Sequence, residues 1–492
     1  MLKFLKNEAN KTWTENGAAT LRSTQSDCLD LFATVGALRR ESEQEIRTRF
    51  ARAFTEDRAL AMKLLFFARD VRGGLGERRV FRIGLEWLAE HAPAVLKKNL
   101  EHIAEYGRYD DLLVLLDTPL EREMLGVIRS QLEKDQAALR EGREVSLLGK
   151  WLPSVNASNA ETVRRGKKIA RALQMEESAY RKLLVRLRAE IRILENHLRE
   201  RDYTFDYEKQ PSKALFKYRA AFERNDEARY TAFLEKASRG EAKLNASTLA
   251  PYELVEPYLN SCWEPRLTEE QKKSLNATWA ALPDFGGDHS ALAVIDTSGS
   301  MYGYGSPMPA SVALSLGLYF AERNRGPFKN HFIEFSRTAQ LIEIKGDTFA
   351  DRLEYLSGFC EVADTNLEAV FDLILATAVK NRLPQKALPQ TLVLISDMEF
   401  NYCVRDAGET NFNNAKKKFA AAGYRLPEIV FWNVASRNRQ QPVSKNEQGV
   451  ALVSGCTPRL FEQVLSGELA AKTPYTLMLE VLGSPRYERI TA

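Results

Sequence analysis

The sequence predicts a multidomain α + α/β chain: an all-helical half over residues 1–285, then a half over residues 286–492 built on a doubly wound, mostly parallel sheet. Three observations carry this. Before residue 283 the apolar residues recur at three- and four-residue spacing, the period of a helix face. After Pro283-Asp284-Phe285-Gly286-Gly287, short, near-continuous apolar runs alternate with helical patterns. Such runs are strands buried on both faces, which parallel sheets require.

The helical half opens with Glu43–Ala53, Ala59–Phe67, Val80–Glu90 and Ala94–Glu105, separated by breaks such as Gly73-Gly74-Leu75-Gly76, Ala92-Pro93 and Gly107. Helix pairs of this length, stacked in series, form an α-solenoid. No clean sequence repeat accompanies them, so element length alone supports the solenoid. In the second half the strands are Ala291–Ile295, Lys329–Phe335, Gln340–Ile344, Thr391–Ser396, Glu428–Val434 and Val450–Val453. Helical patterns over Pro309–Glu322, Phe349–Leu356, Leu367–Ala378, Phe412–Ala422 and Pro458–Leu465 lie between or after them.

The chain has 492 residues, 44% of them hydrophobic and 28% charged, with a net charge of +4, the balance of a globular protein. Its five cysteines (Cys28, Cys262, Cys360, Cys403, Cys456) never form a C-x-x-C pair. They read as reduced thiols of a cytoplasmic protein rather than a disulfide framework or zinc ribbon. No apolar run approaches the roughly 20 residues of a membrane helix. The first residues lack the sustained apolar region of a secretory signal. The expectation is a cytoplasmic protein with no membrane association.

Chemistry concentrates where one apolar run ends in Asp296-Thr297-Ser298-Gly299-Ser300. A buried strand there delivers a carboxylate and two hydroxyls to one loop. Thr365 precedes the Leu367 helical pattern, and Asp397 ends the Thr391–Ser396 run. In open α/β sheets, ligands sit outside the carboxyl ends of strands. Asp296, Ser298, Ser300, Thr365 and Asp397 are therefore the candidate ligands of one hard cation, Mg²⁺ or Mn²⁺. The competing reading of the Asp-x-Ser-x-Ser loop is a polar helix cap.

Catalytic patterns are missing. Haloacid-dehalogenase phosphatases need Asp-x-Asp-x-Thr, and here the second aspartate is Ser298. No nucleophile elbow, phosphate loop or His-Glu-x-x-His occurs. The five histidines form no ligand-spaced pair. No catalytic residue is assigned, and the expectation is a non-enzyme.

Positive charge gathers in the helical half. Residues 1–285 hold 49 Lys and Arg against 44 Asp and Glu, and 151–222 hold 16 against 9. Glu177–Arg201 reads as one amphipathic helix with Arg181, Arg188, Arg192 and Arg199 in a stripe roughly 27 Å long. Arg164, Arg165, Lys167 and Lys168 extend it. A guanidinium row of this kind could follow a phosphodiester backbone. The same row also fits a solvated face, since Glu190, Glu195 and Glu200 offer intrahelical partners. A second cluster, Arg69–Arg79 with three glycines, fits a glycine-capped turn between helices.

Several segments together resemble a helical-repeat family with a C-terminal von Willebrand A domain: Asn16–Thr24, Ala68–Arg78, Gly149–Ser154, Gln210–Ala214, Ile295–Met301 and Val430–Val434. That architecture is similar to the Ro (TROVE-module) ring proteins. The resemblance implies a HEAT-like helical domain, ring- or arc-shaped, and a von Willebrand A domain with a metal-ion-dependent adhesion site. In that site an open metal position accepts a partner's carboxylate. It further implies RNA as a partner, small non-coding or single-stranded, and a non-catalytic scaffold role. The alternative is a protein–protein adaptor, in which the metal clamps an acidic residue of the partner without RNA.

Overall fold

The computed structural model describes residues 1–191, 193–259, 267–303, 307–358, 363–401, 409–465 and 469–492. It consists of a helical N-terminal half and a C-terminal half built on a mixed six-stranded sheet. No described helix is long and apolar enough to cross a membrane.

In the helical half, Glu43–Glu56 starts at Ser42, whose hydroxyl accepts from the Glu45 N–H, with Glu43 and Glu45 in the first turn. Asp57 ends that helix and caps the next, Arg58–Arg69. One residue thus makes the corner between two packed helices. Ile46, Phe50, Met62, Leu65, Phe81 and Leu85 fill the core between these helices and Arg78–His91.

Two expected helices are broken. Ala94–Glu105 divides into Pro93–Lys97, a 3₁₀ turn at Leu100–His102 and Ile103–Tyr106. The cause is Asn99, fully buried, whose amide donates to the carbonyls of Val95 (3.0 Å) and Thr491 (2.7 Å) and accepts from the Thr491 N–H (3.1 Å). A side chain so committed to a distant segment diverts the local helix. Glu177–Arg201 divides into Glu177–Ile191 and Leu194–Glu200, and Asn196 bonds the Arg188 carbonyl at the break (3.1 Å).

The sheet half contains β3 (Ala291–Asp296), β4 (His331–Phe335), β5 (Ala339–Glu343), β6 (Thr391–Ser396), β7 (Glu428–Asn433) and β8 (Val450–Ser454). They follow a short hairpin of β1 (Lys11–Trp13) and β2 (Ala19–Leu21). The spatial order is β5-β4-β3-β6-β7-β8, parallel except for the antiparallel edge β5. Every residue of β3 and β6 is buried. Side chains alternate between faces. Leu292, Val294, Leu392 and Leu394 meet helices Leu367–Lys380 and Asn411–Ala421. Ala293, Ile295, Val393 and Ile395 join a core shared with helix Pro309–Arg323 and with the helical half. At Gly317 a Cβ would lie 2.1 Å from Ile295 Cδ1, so glycine lets that helix sit directly on β3.

The chain crosses itself at both extremes. The β1–β2 hairpin belongs to the sheet half: Thr14 Oγ donates to the Phe400 carbonyl (2.6 Å), and Thr20 Oγ to that of Gln441 (2.9 Å). The C-terminal segment belongs to the helical half. Buried Asp70 accepts from Arg486 Nη2 (2.7 Å) and the Tyr487 hydroxyl (3.1 Å).

Candidate metal centre

β3 and β6 are adjacent parallel strands, yet their onward connections run to opposite sides of the sheet. That reversal leaves a crevice at their carboxyl ends. Asp296 ends β3 and Asp397 follows β6. Thr365 sits just before Asn366, which caps helix Leu367–Lys380 by accepting from the Ala369 N–H (3.1 Å). Backbone bonds stitch these segments together: Gly299 N–H to Ala363 O (3.2 Å), Asn366 N–H to Ser336 O (2.9 Å) and Asn401 N–H to Thr365 O (2.9 Å).

Asp296, Ser298, Thr365 and Asp397 are buried, while Ser300 is partly exposed and marks the open side. Asp296 accepts from the Ser298 N–H at 2.9 Å and from the Ser396 hydroxyl at 2.5 Å. The hydroxyls of Ser298 and Ser300 lie 3.2 Å apart. Asp397 accepts from Arg437 Nη2 at 2.9 Å and from the Glu399 N–H at 3.2 Å. Burial, and after it the charge of Asp397, pushes the Asp296 carboxyl well above the usual carboxylate range. Two buried carboxylates repel each other, and a divalent cation between them would remove that cost. The donors are all oxygen, which suits Mg²⁺ or Mn²⁺. No group of three or more His, Cys, Asp or Glu among the described residues is arranged to hold a metal, so hydroxyls must complete any such site here.

Three contributors were not singled out from sequence. Ser396 is adjacent to Asp397 and bears on Asp296 through its strand register. Arg437 and Glu399 lie on loops after β7 and β6. Arg437 had one legible signal: it follows an apolar strand, as the two aspartates do.

Against known families, residues 14–127 and 126–284 match a model described as a domain of unknown function, DUF2828. Those segments cover more than half of the chain. The chain belongs to the DUF2828 family. Residues 290–479, the sheet half, match a second domain of unknown function, DUF7788. The chain is also 28% identical to the uncharacterized protein L728 of Acanthamoeba polyphaga mimivirus, across 96% of this chain and 87% of that one.

In this DUF2828 member several of the basic residues expected to bind nucleic acid have partners within the chain. Arg188 points inward: its guanidinium donates to Gly149 O (2.9 Å), Leu152 O (2.7 Å) and Ser154 Oγ (2.7 Å). Arg164 and Arg165 share Glu161, Lys167 pairs with Glu177, and Lys168 pairs with Asp117 and Glu121. Arg199 is exposed beside Glu200 and lies on the second of the two helices. Arg181 is exposed on the first, together with Lys182 and Arg186, which sequence reasoning passed over. Arg192, like Cys262, Cys360 and Cys403, lies outside the described residues. In the Arg69–Arg79 cluster Arg69 is buried, while Arg72, Arg78 and Arg79 are exposed with partners within the chain. Arg69 and Arg82 hold buried Asp111 (2.8 and 2.7 Å), and Arg39 holds Glu77 (2.7 Å).

Proposed function

We propose that this chain is a non-catalytic binding module. Its sheet half is a von Willebrand A-type domain in which Asp296, Ser298, Ser300, Thr365 and Asp397 hold Mg²⁺ or Mn²⁺ and present it to a carboxylate of a protein partner. The supporting observation is the convergence of three loop segments at the sheet's switch point, with buried Asp296 facing Asp397. The bound ion would supply an electrophilic position for an oxygen ligand. The protein does the rest. Ser298 N–H and Ser396 fix the Asp296 carboxylate, while the Glu399 N–H orients Asp397. The partly exposed Ser300 side leaves the entry path.

Calorimetric titration of the full chain with Mn²⁺ tests this. One site is expected in the wild type, and none in an Asp296→Ala variant whose circular dichroism is unchanged. No binding by the wild type, or undiminished binding by the variant, overturns the reading.

A second reading is an RNA-binding scaffold similar to Ro proteins, with the helical half as a HEAT-like ring or arc. Exposed Arg181, Lys182 and Arg186 on one helix favour it. Fluorescence anisotropy with single-stranded and structured RNA across a salt series separates the two. RNA affinity with a steep salt slope, flattened by Glu at those three positions, would put the scaffold first. Absence of binding at low salt would remove it.

A further inference from the structure

Arg437 sits between two anions. Its Nη2 is 2.9 Å from Asp397 Oδ2, and its Nη1 is 3.3 Å from Glu15 Oε2. Asp397 belongs to the candidate metal centre. Glu15 lies between β1 and β2, and that connection touches the Asp397 loop at nearly every residue. The Glu15 N–H donates to Glu399 (2.9 Å), Asn16 Nδ2 to the Glu399 carbonyl (2.6 Å) and Thr14 Oγ to the Phe400 carbonyl, and Gly17 bridges to Asn401. Asn438, next to Arg437, donates to both Glu15 (3.0 Å) and Glu399 (2.9 Å). Arg437 and Glu15 are 41% and 49% exposed, so either side chain can move without disturbing the core.

We propose that Arg437 is a built-in competitor for the Asp397 carboxylate, and that Glu15 on the hairpin sets how strongly it competes. The proposal rests on the metal reading above. When a divalent cation shares Asp397, like-charge repulsion turns the guanidinium toward Glu15. The pairing left to Arg437 then tightens the hairpin on the sheet half. Linkage makes the effect reciprocal: a docked hairpin favours the ion by the same factor that the ion favours docking. Arg437 is thus an affinity-determining residue, and residues 14–20 are the segment that reports occupancy.

The signs follow from charge and position. Arg437→Gln removes the competitor, so Mn²⁺ affinity rises by about fivefold or more, the lower end of typical coupling between sites. Glu15→Gln leaves Asp397 as the one acidic partner of Arg437 among the described residues, so affinity falls. In the Arg437→Gln background, Glu15→Gln has no further effect, because its influence runs through the guanidinium. Such non-additivity separates a shared partner from independent long-range electrostatics.

Calorimetric titration of the four full-length proteins with Mn²⁺ gives the cycle. Hydrogen exchange of residues 14–20 with and without Mg²⁺ gives a second readout, with protection rising in the wild type and unchanged in Arg437→Gln. An equal Glu15→Gln shift in both backgrounds, or an unaltered affinity in Arg437→Gln, overturns the proposal and leaves the metal reading standing. No Mn²⁺ binding in wild type and Arg437→Gln alike removes both.

Discussion

Glu45 accepts from Arg49, one turn further along its own helix (2.7 Å), and from Arg439 Nε on the far side of the junction (2.6 Å). The Arg439 hydrogen bond, aided by Arg49 and opposed by burial, holds the Glu45 carboxyl at about 2, against an ordinary 4.5. A depressed folded-state value means that the unfolded chain takes up the proton first. The stabilisation is complete above about 4.5 and is lost as the pH falls from there toward about 2. Thermal unfolding at pH 5 and pH 3 should therefore show a smaller drop in midpoint for Glu45→Gln than for the wild type. An equal drop would mean that Glu45 is not a carboxylate the junction depends on. At this scale the sequence was an uneven guide. Asp296 and Asp397 were legible because strand ends expose a small, fixed set of side chains to one crevice. Arg188 was misread because a 100° wheel shows which residues share a face but not what covers it. Arg181 faces solvent. The Arg188 guanidinium meets the carbonyls at the end of helix Leu148–Trp151.

Those carbonyls give the Arg188 contact a consequence for whole elements. Gly149 O and Leu152 O are acceptors near a helix end that a cation suits. Replacing Arg188 with Met keeps the apolar stem and removes all three hydrogen bonds. The expected cost is about 2 kcal/mol, in line with hydrogen bonds to a charged group. Amide exchange over residues 149–154 should accelerate, and unchanged exchange would make the contact incidental. The six strands of the large sheet were read from sequence to within two residues at each end, the buried parallel ones because they appear as unbroken apolar runs, whereas the β1–β2 hairpin, inside the half read as all-helical, was not. The helix break at Asn99 was not legible. Its cause is Thr491, which no local pattern can announce.

The halves differ in architecture but share one hydrophobic core, which runs from Phe32 and Leu65 through Ile295 to Trp432. One close backbone approach between them is Gly36 against Gly455. A Cβ on Gly36 would lie 2.6 Å from Gly455 Cα, while the Gly36 N–H donates to Ser454 Oγ (3.0 Å). Gly455 itself has φ +112, a backbone state that disfavours other residues. Gly36→Ala should cost roughly 1–3 kcal/mol as an overpacking change. It should lower the thermal midpoint and expose the junction to protease, and a wild-type midpoint would show that the glycines are not what lets the halves meet. The change of pattern near residue 285 was plain in the sequence. The return of the hairpin and of the C-terminal segment across it was not, since those contacts pair residues about 400 positions apart.

That crossing sets a schedule for the nascent chain. Thr14 waits for Phe400, 386 residues later. At about 5–20 residues per second, the hairpin spends roughly 20–80 s out of the ribosome without the surface it will rest on. The helical half is likewise synthesised long before Arg486 arrives to neutralise buried Asp70. Neither half can finish folding as it emerges. The segments that complete both lie beyond residue 399, so the two halves become one folded unit only after those residues have emerged.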